Sequence, residues 1–177
     1  SMLELSCNDS DGTRRIVFSG DIGNWDMPLL KNPTLLSAAD VVVMESPYGD
    51  RTHEPNDDID ERFAEYINST CKAGGNLIIP SFAVERTQEL LYHLGKLRLD
   101  RRIPNIMVFV DSPMAIRVTE VFRHHPELFD KDTQEMLDQG THPCDFPGLT
   151  MSRTVAQSKA INLIRGSAII IAGSGMC

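Results

Sequence analysis

Four runs in this chain are apolar without interruption where an exposed strand would alternate: VVVM at 41–44, NLII at 76–79, MVFV at 107–110 and AIII at 168–171. A half-solvated strand shows polar and apolar residues in turn, because successive side chains point to opposite faces. A continuous run is expected where helices cover both faces of a parallel sheet. Together with Arg15–Gly20, these runs define strands at Asp40–Glu45, Asn76–Pro80, Ile106–Asp111 and Ala168–Ala172. The apolar runs are expected to be central strands.

Helical patterns fill the gaps between them. Ile59, Phe63, Ile67 and Cys71 recur at helical spacing and stop at Gly74-Gly75, which predicts a helix over 58–72. Val84, Gln88, Leu91 and Leu94 predict a second, starting after the Pro80-Ser81-Phe82 turn and ending at Gly95. Ser112 can cap and Pro113 can occupy the first turn of a third helix carrying Met114, Val118, Val121 and Phe122. A fourth is expected over Val155–Arg165, closed by Gly166. From Pro126 to Pro147 the pattern is weak, with one short helix near Asp130–Gln139. The predicted fold class is therefore α/β: three layers, with a mostly parallel sheet and helices on both faces.

With 177 residues, 41% hydrophobic and 24% charged, the chain suits one globular domain, or one and a piece. No stretch approaches the roughly 18 consecutive apolar residues that span a bilayer, so no membrane association is expected. Ser1 and Met2 read as a cloning remnant. The four cysteines are widely separated and form no CxxC pair, which favours reduced thiols over a disulfide framework and a cytoplasmic location. A net charge of −8 opposes bulk attraction to nucleic acid, so any polyanionic substrate must be held by local groups or a metal. The stretch from Met151 onward, with Arg153, Lys159 and Arg165 and no carboxylate, is a local basic exception.

Ligands of parallel sheets gather beyond the carboxyl ends of the strands. Here those ends read Ser19-Gly20-Asp21-Ile22-Gly23, Glu45-Ser46-Pro47-Tyr48-Gly49-Asp50, Pro80-Ser81-Phe82, Asp111-Ser112-Pro113 and Gly173-Ser174-Gly175. Hydroxyls and glycines beside helix starts suit phosphate. Asp21 on its own reads as a turn residue or a metal ligand. Glu45, closing an apolar strand, reads as a salt-bridge partner or a functional acid, since a carboxylate is costly to bury without a partner. His124 and His125 fall at a helix end, where a positive charge suits the dipole. His53 follows Arg51 in an acidic loop. The chain contains no HxHxDH cluster, HExxH pair or GxSxG elbow, so it holds neither a self-contained metal site of those types nor a serine-hydrolase site.

The segment PSFAVERTQELLYHLG at 80–95 resembles a β-CASP pattern in which a strand, a small-Phe-Ala turn and an R-x-Q-E-L-L helix follow one another. VFSGDIG resembles the Ser-Gly-Asp strand end that carries the bridging aspartate of metallo-β-lactamase folds. VVVMESPYGDRTH resembles the stretch whose acid is the first β-CASP motif, with Pro47 in place of the usual Thr, and VFVDSPMAIRVTEVF and IIIAGSGM resemble later landmarks in order. The chain thus resembles the β-CASP family of metallo-β-lactamase-fold nucleases from Ile16 to Met176. Within it the chain is similar to prokaryotic members related to the endonuclease subunit of the cleavage and polyadenylation machinery and, more distantly, to RNase J.

The resemblance implies the end of a metallo-β-lactamase domain over 1–53 and a truncated β-CASP domain over 54–177. It implies zinc-dependent hydrolysis of nucleic-acid phosphodiesters, as RNA processing or decay, with two zinc ions in the intact protein. Asp21 would bridge the ions, and Glu45 would act in catalysis by orienting a histidine general acid. Ser81, Arg86, Ser174, Gly175 and Tyr48 would meet substrate; pairing with Glu85 or Glu89 is the alternative for Arg86, and packing beneath the cleft the alternative for Tyr48. RNA is the expected partner, single-stranded DNA an alternative, and a homodimer is left open. The family's histidine clusters are not in this sequence, so the chain is expected to be a fragment that lacks a complete zinc pair and is inactive alone. A non-catalytic β-CASP partner subunit is the alternative, and an unrelated nucleotide-binding domain ranks last for want of a GxGxxG or GxxxxGK loop.

Overall fold

The computed structural model describes residues 2–10, 12–52 and 58–173. These fall into two compact units, one of residues 1–27 and 31–55, the other of 28–30 and 56–177.

In the first unit β1 (Leu3–Asp9) pairs antiparallel with β2 (Gly12–Phe18), and β2 pairs parallel with β3 (Val41–Val43). The sheet order is β1-β2-β3. The register puts Leu3, Phe18 and Val43 in one row and Leu5, Ile16 and Val41 in the next. Two expectations are corrected here. The VVVM run is an edge strand of a separate three-stranded sheet, with Val41, Val42 and Val43 exposed, where a central strand had been expected. Continuous apolarity marks the absence of a polar face but does not say which sheet a strand joins. β1 was not anticipated, although LELSC alternates apolar and polar residues as a hairpin strand should.

The second unit is an α/β fold with an all-parallel sheet flanked by helices. Its strands, β4 (Leu77–Ser81), β5 (Met107–Asp111), β6 (Leu149–Met151) and β7 (Ala168–Gly173), lie in the order β4-β7-β5-β6. The connections from β4 to β5 and from β5 to β6 run one way across the sheet, and the return from β6 to β7 runs the other. Right-handed crossovers therefore put α5 (Val155–Ile161) on the face opposite α2 (Arg86–Leu99) and α3 (Pro113–His124).

One sheet face carries Leu77, Ile79, Val108, Val110, Leu149, Met151, Ile169 and Ile171, which pack with Ala64 and Ile67 of α1 (Ile59–Lys72), Leu91, Leu94 and Leu97 of α2, and Ala115 and Ile116 of α3. Each fully buried leucine of α2 contributes about 2–3 kcal/mol of transfer free energy. The opposite face is thinner: Ile78 and Met107 remain exposed, and β4, expected from the NLII run to be a central strand, is an edge strand of this sheet.

The helix boundaries follow local chemistry. α1 has Asp60 and Glu61 in its first turn and ends where Gly74, at φ +73°, donates to the Cys71 carbonyl at 3.0 Å. Ser112 caps α3 by accepting from the Ala115 N–H, with Pro113 in the first turn as expected. α4 (Lys131–Asp138), capped by Asp130, is the short helix expected near 130–139. α2 runs four residues past Gly95, the expected stop, because that glycine is a contact point. A Cβ there would meet Phe146 Cδ1 at 3.3 Å and the Pro143 carbonyl at 3.5 Å, so its missing side chain lets the 143–146 loop close onto the helix. α5 ends at Ile161, short of Arg165.

An ionic clamp ties α1 to α2. Asp60 Oδ1 lies 2.6 Å from His93 Nδ1, and Lys96 Nζ donates to Asp60 Oδ2 at 2.8 Å. Burial opposes ionisation of Asp60, yet the hydrogen bonds from Lys96 and His93 outweigh it and hold the carboxyl below its ordinary value of 3.8. A lowered native pKa means the clamp stabilises the fold above pH ~4 and loses that contribution as pH falls through the native value. Asp60→Asn is expected to cost about 2 kcal/mol at neutral pH, the scale of charged hydrogen bonds. The difference from the unaltered chain should shrink below pH ~4, as read by urea unfolding at several pH values.

Candidate active site

In the first unit the strand ends that hold Asp21 and Glu45 are joined by Ser19. This residue is buried; its N–H donates to the Val43 carbonyl at 2.9 Å, and its hydroxyl donates to the Gly20 carbonyl at 2.8 Å. The same hydroxyl oxygen accepts from the Glu45 N–H at 3.4 Å. Ser19 thus fixes the exit of β2 to the exit of β3 and holds the Asp21 and Glu45 segments side by side. Sequence reasoning named it only as part of the Ser-Gly-Asp strand end and gave it no role, because burial and a hydrogen bond to another segment leave no local mark. Gly20 (φ +54°) and Gly23 (φ +76°) turn the loop sharply on either side of Asp21.

Asp21 and Glu45 are both exposed. The desolvation argument for Glu45 therefore does not apply in this structure, because the strand it follows is an outer one. Tyr48 is exposed in the turn after Glu45, where its carbonyl accepts from the Arg51 N–H at 3.3 Å. Among the described residues no group of three or more His, Cys, Asp or Glu side chains could hold a metal ion. Asp21 is a single carboxylate, short of the three protein ligands of a catalytic zinc, so the described residues do not by themselves fit a zinc centre. His53, Ser174 and Gly175 lie outside the described residues.

In the second unit Ser81 and Arg86 bracket the turn from β4 into α2. Ser81 is buried, and its hydroxyl lies 3.1 Å from Thr87 Oγ1. Both hydroxyls donate to the Phe82 carbonyl, from 3.2 Å and 2.8 Å respectively. Arg86 pairs with Glu89 at 2.8 Å, one of the two acids on its own helix that were expected to compete for it. Glu89 is 7% exposed while Arg86 is 62% exposed, so the carboxylate pins a guanidinium whose remaining N–H groups face solvent. Burial raises the Glu89 pKa, and the nearby Arg86 charge opposes that rise.

Elsewhere the basic stretch is partly neutralised, since Arg153 pairs with Glu120 at 2.7 Å. His124 sits 2.7 Å from the Glu120 carbonyl and His125 2.9 Å from Glu127, consistent with structural roles at a helix end. Cys144 is buried, its thiol pushed up to about 12 by desolvation, and Cys7 and Cys71 are free thiols.

The parallel sheet thus places two hydroxyls and a paired arginine at its carboxyl edge, where open α/β sheets commonly bind ligands. The Beta-Casp domain family matches residues 87–177. The chain belongs to the β-CASP family. It is 39% identical to Ribonuclease TTHA0252 of Thermus thermophilus over 163 residues, covering 92% of this chain and 37% of that protein. It is 27% identical to Probable RNase MJ4 of Methanocaldococcus jannaschii, covering 92% of this chain and 36% of the relative. It is 26% identical to Endoribonuclease YSH1 of Eremothecium gossypii, covering 92% and 21%. The chain therefore spans little more than a third of the length of these relatives, or less.

Proposed function

We propose that the full-length protein to which this chain belongs hydrolyses phosphodiester bonds in RNA, in processing or decay, in the cytoplasm. Membership of the β-CASP family, with relatives named as ribonucleases, is the observation that carries the reading. In support, the two acids matched by the resemblance, Asp21 and Glu45, lie on strand ends joined through one serine hydroxyl.

Each residue then has a task. Asp21 supplies one carboxylate to zinc, the remaining ligands coming from residues outside this chain. Glu45 orients a proton donor. The Arg86 guanidinium, fixed by Glu89, and the Ser81 turn hold the substrate backbone, which lets a chain of net charge −8 bind a polyanion through local groups. Zinc supplies Lewis acidity at the scissile phosphate when bound.

The test is cleavage of end-labelled RNA by the full-length protein with and without metal. Chelation is expected to abolish cleavage and added zinc to restore it, while the 177-residue chain alone cleaves nothing. Full activity after complete removal of metal would overturn the zinc reading. A full-length protein that binds RNA, retains no zinc and never cleaves would instead be a non-catalytic subunit.

A further inference from the structure

The carboxyl edge of the second unit's sheet carries a row of apolar side chains that the fold does not use. Phe82 and Val84 follow β4, Met114 follows β5 and Val155 follows β6, and they are 72%, 61%, 66% and 72% exposed. Scattered apolar residues on a surface need no explanation, but these share the edge where parallel sheets receive ligands.

Phe82 differs from the others in how it is held. Its carbonyl accepts from two hydroxyls, those of Ser81 and Thr87. The next carbonyl, of Ala83, accepts from the side-chain amide of Gln88 at 3.2 Å. Gln88 is fully buried and is itself anchored to Thr119 Oγ1 at 2.9 Å. The turn closes with Glu85 at φ +66°, a left-handed conformation that costs a non-glycine residue of order 1 kcal/mol. Buried polar groups and a strained residue thus fix a loop whose most prominent side chain is an aromatic ring left in solvent. The backbone beneath the ring is already ordered, so stacking would cost only the ring's own two side-chain torsions. Arg86, four residues on, offers exposed N–H groups to a phosphate.

We propose that Phe82 is a stacking platform for an unpaired base of a single-stranded nucleic acid whose backbone passes the β4–α2 turn. The inference rests on the phosphodiesterase reading for the identity of its ligand, but concerns binding and not cleavage. Stacking accounts for an exposed aromatic on the same turn as a paired, exposed cation, whereas an apolar protein partner would not call on Arg86.

The probe is a short fluorescent oligoadenylate in chelator, read by anisotropy, with an abasic strand of equal length as the comparison. Phe82→Ala is expected to weaken oligoadenylate binding by the 177-residue chain about tenfold, the range of one lost base stack, and to leave the abasic strand unchanged. Phe82→Tyr should restore affinity. Since the ring is exposed, the melting temperature of Phe82→Ala should match that of the unaltered chain, which separates lost stacking from unfolding. Equal weakening on both strands, no weakening on either, or no binding by the unaltered chain overturns the proposal. The nuclease reading fails separately, through absence of metal-dependent cleavage by the full-length protein.

Discussion

Asp21→Ala in the full-length protein is expected to abolish RNA cleavage and lower bound zinc without changing the melting temperature. The side chain is exposed, on a loop turned by Gly20 and Gly23, so its removal leaves no cavity in a core. Surface substitutions of that kind shift stability by about 0.5 kcal/mol or less. If Asp21 holds metal as proposed, its loss would by contrast remove a ligand, and the effect would fall on metal content and function and not on the fold. The measurement is zinc per protein, turnover on labelled RNA and thermal unfolding, all on one preparation. Retention of zinc and activity would remove Asp21 from the metal site. A collapse in melting temperature would mean that the carboxylate has a structural partner in the full-length protein.

The parallel sheet was legible because its strands carry their burial in their composition. LII of the first run, MVFV and AIII lie in β4, β5 and β7, side by side in one sheet; β5 and β7 are inside it as expected, but β4 is at its edge with Ile78 exposed, so a continuous apolar run did not guarantee a central place. The helices between them were legible from spacing, caps and stops: Ser112 with Pro113 starts α3, and Gly74 ends α1. What misled was a residue type read out of context. Gly95 breaks an isolated helix, but in α2 it is kept because the loop at 143–146 needs room, and that contact is long-range. VVVM looks like its counterparts, yet it joins another sheet at the edge, since partner choice is decided by tertiary structure and not by the strand's own residues.

The candidate site was legible in part for a similar reason. Strand-end acids and hydroxyls announce themselves, and Arg86 was seen to have acids within reach on its own helix. Their supports do not announce themselves. Ser19, Thr87 and Gln88 act through hydrogen bonds to carbonyls or to the N–H of another segment, and no local pattern distinguishes such a serine or glutamine from an ordinary one.

Glu45→Gln in the same full-length protein is expected to separate the two acids. The change keeps shape and removes charge. Glu45 is exposed, and the contact that ties its segment to Ser19 is made by its backbone N–H, so the amide should leave both the loop and the fold in place. If Glu45 positions a proton donor, only the proton-transfer part of the reaction suffers, and that part is worth roughly 10²–10⁴ in rate. Zinc content should remain that of the unaltered protein, turnover should drop by a factor in that range, and the pH–rate profile should shift, because the carboxylate no longer stabilises the protonated form of its partner. A merely structural acid would lower stability and turnover together and leave the shape of that profile alone. Loss of zinc as complete as that expected of Asp21→Ala would instead make Glu45 a metal ligand and reverse the division of labour between the two strand ends.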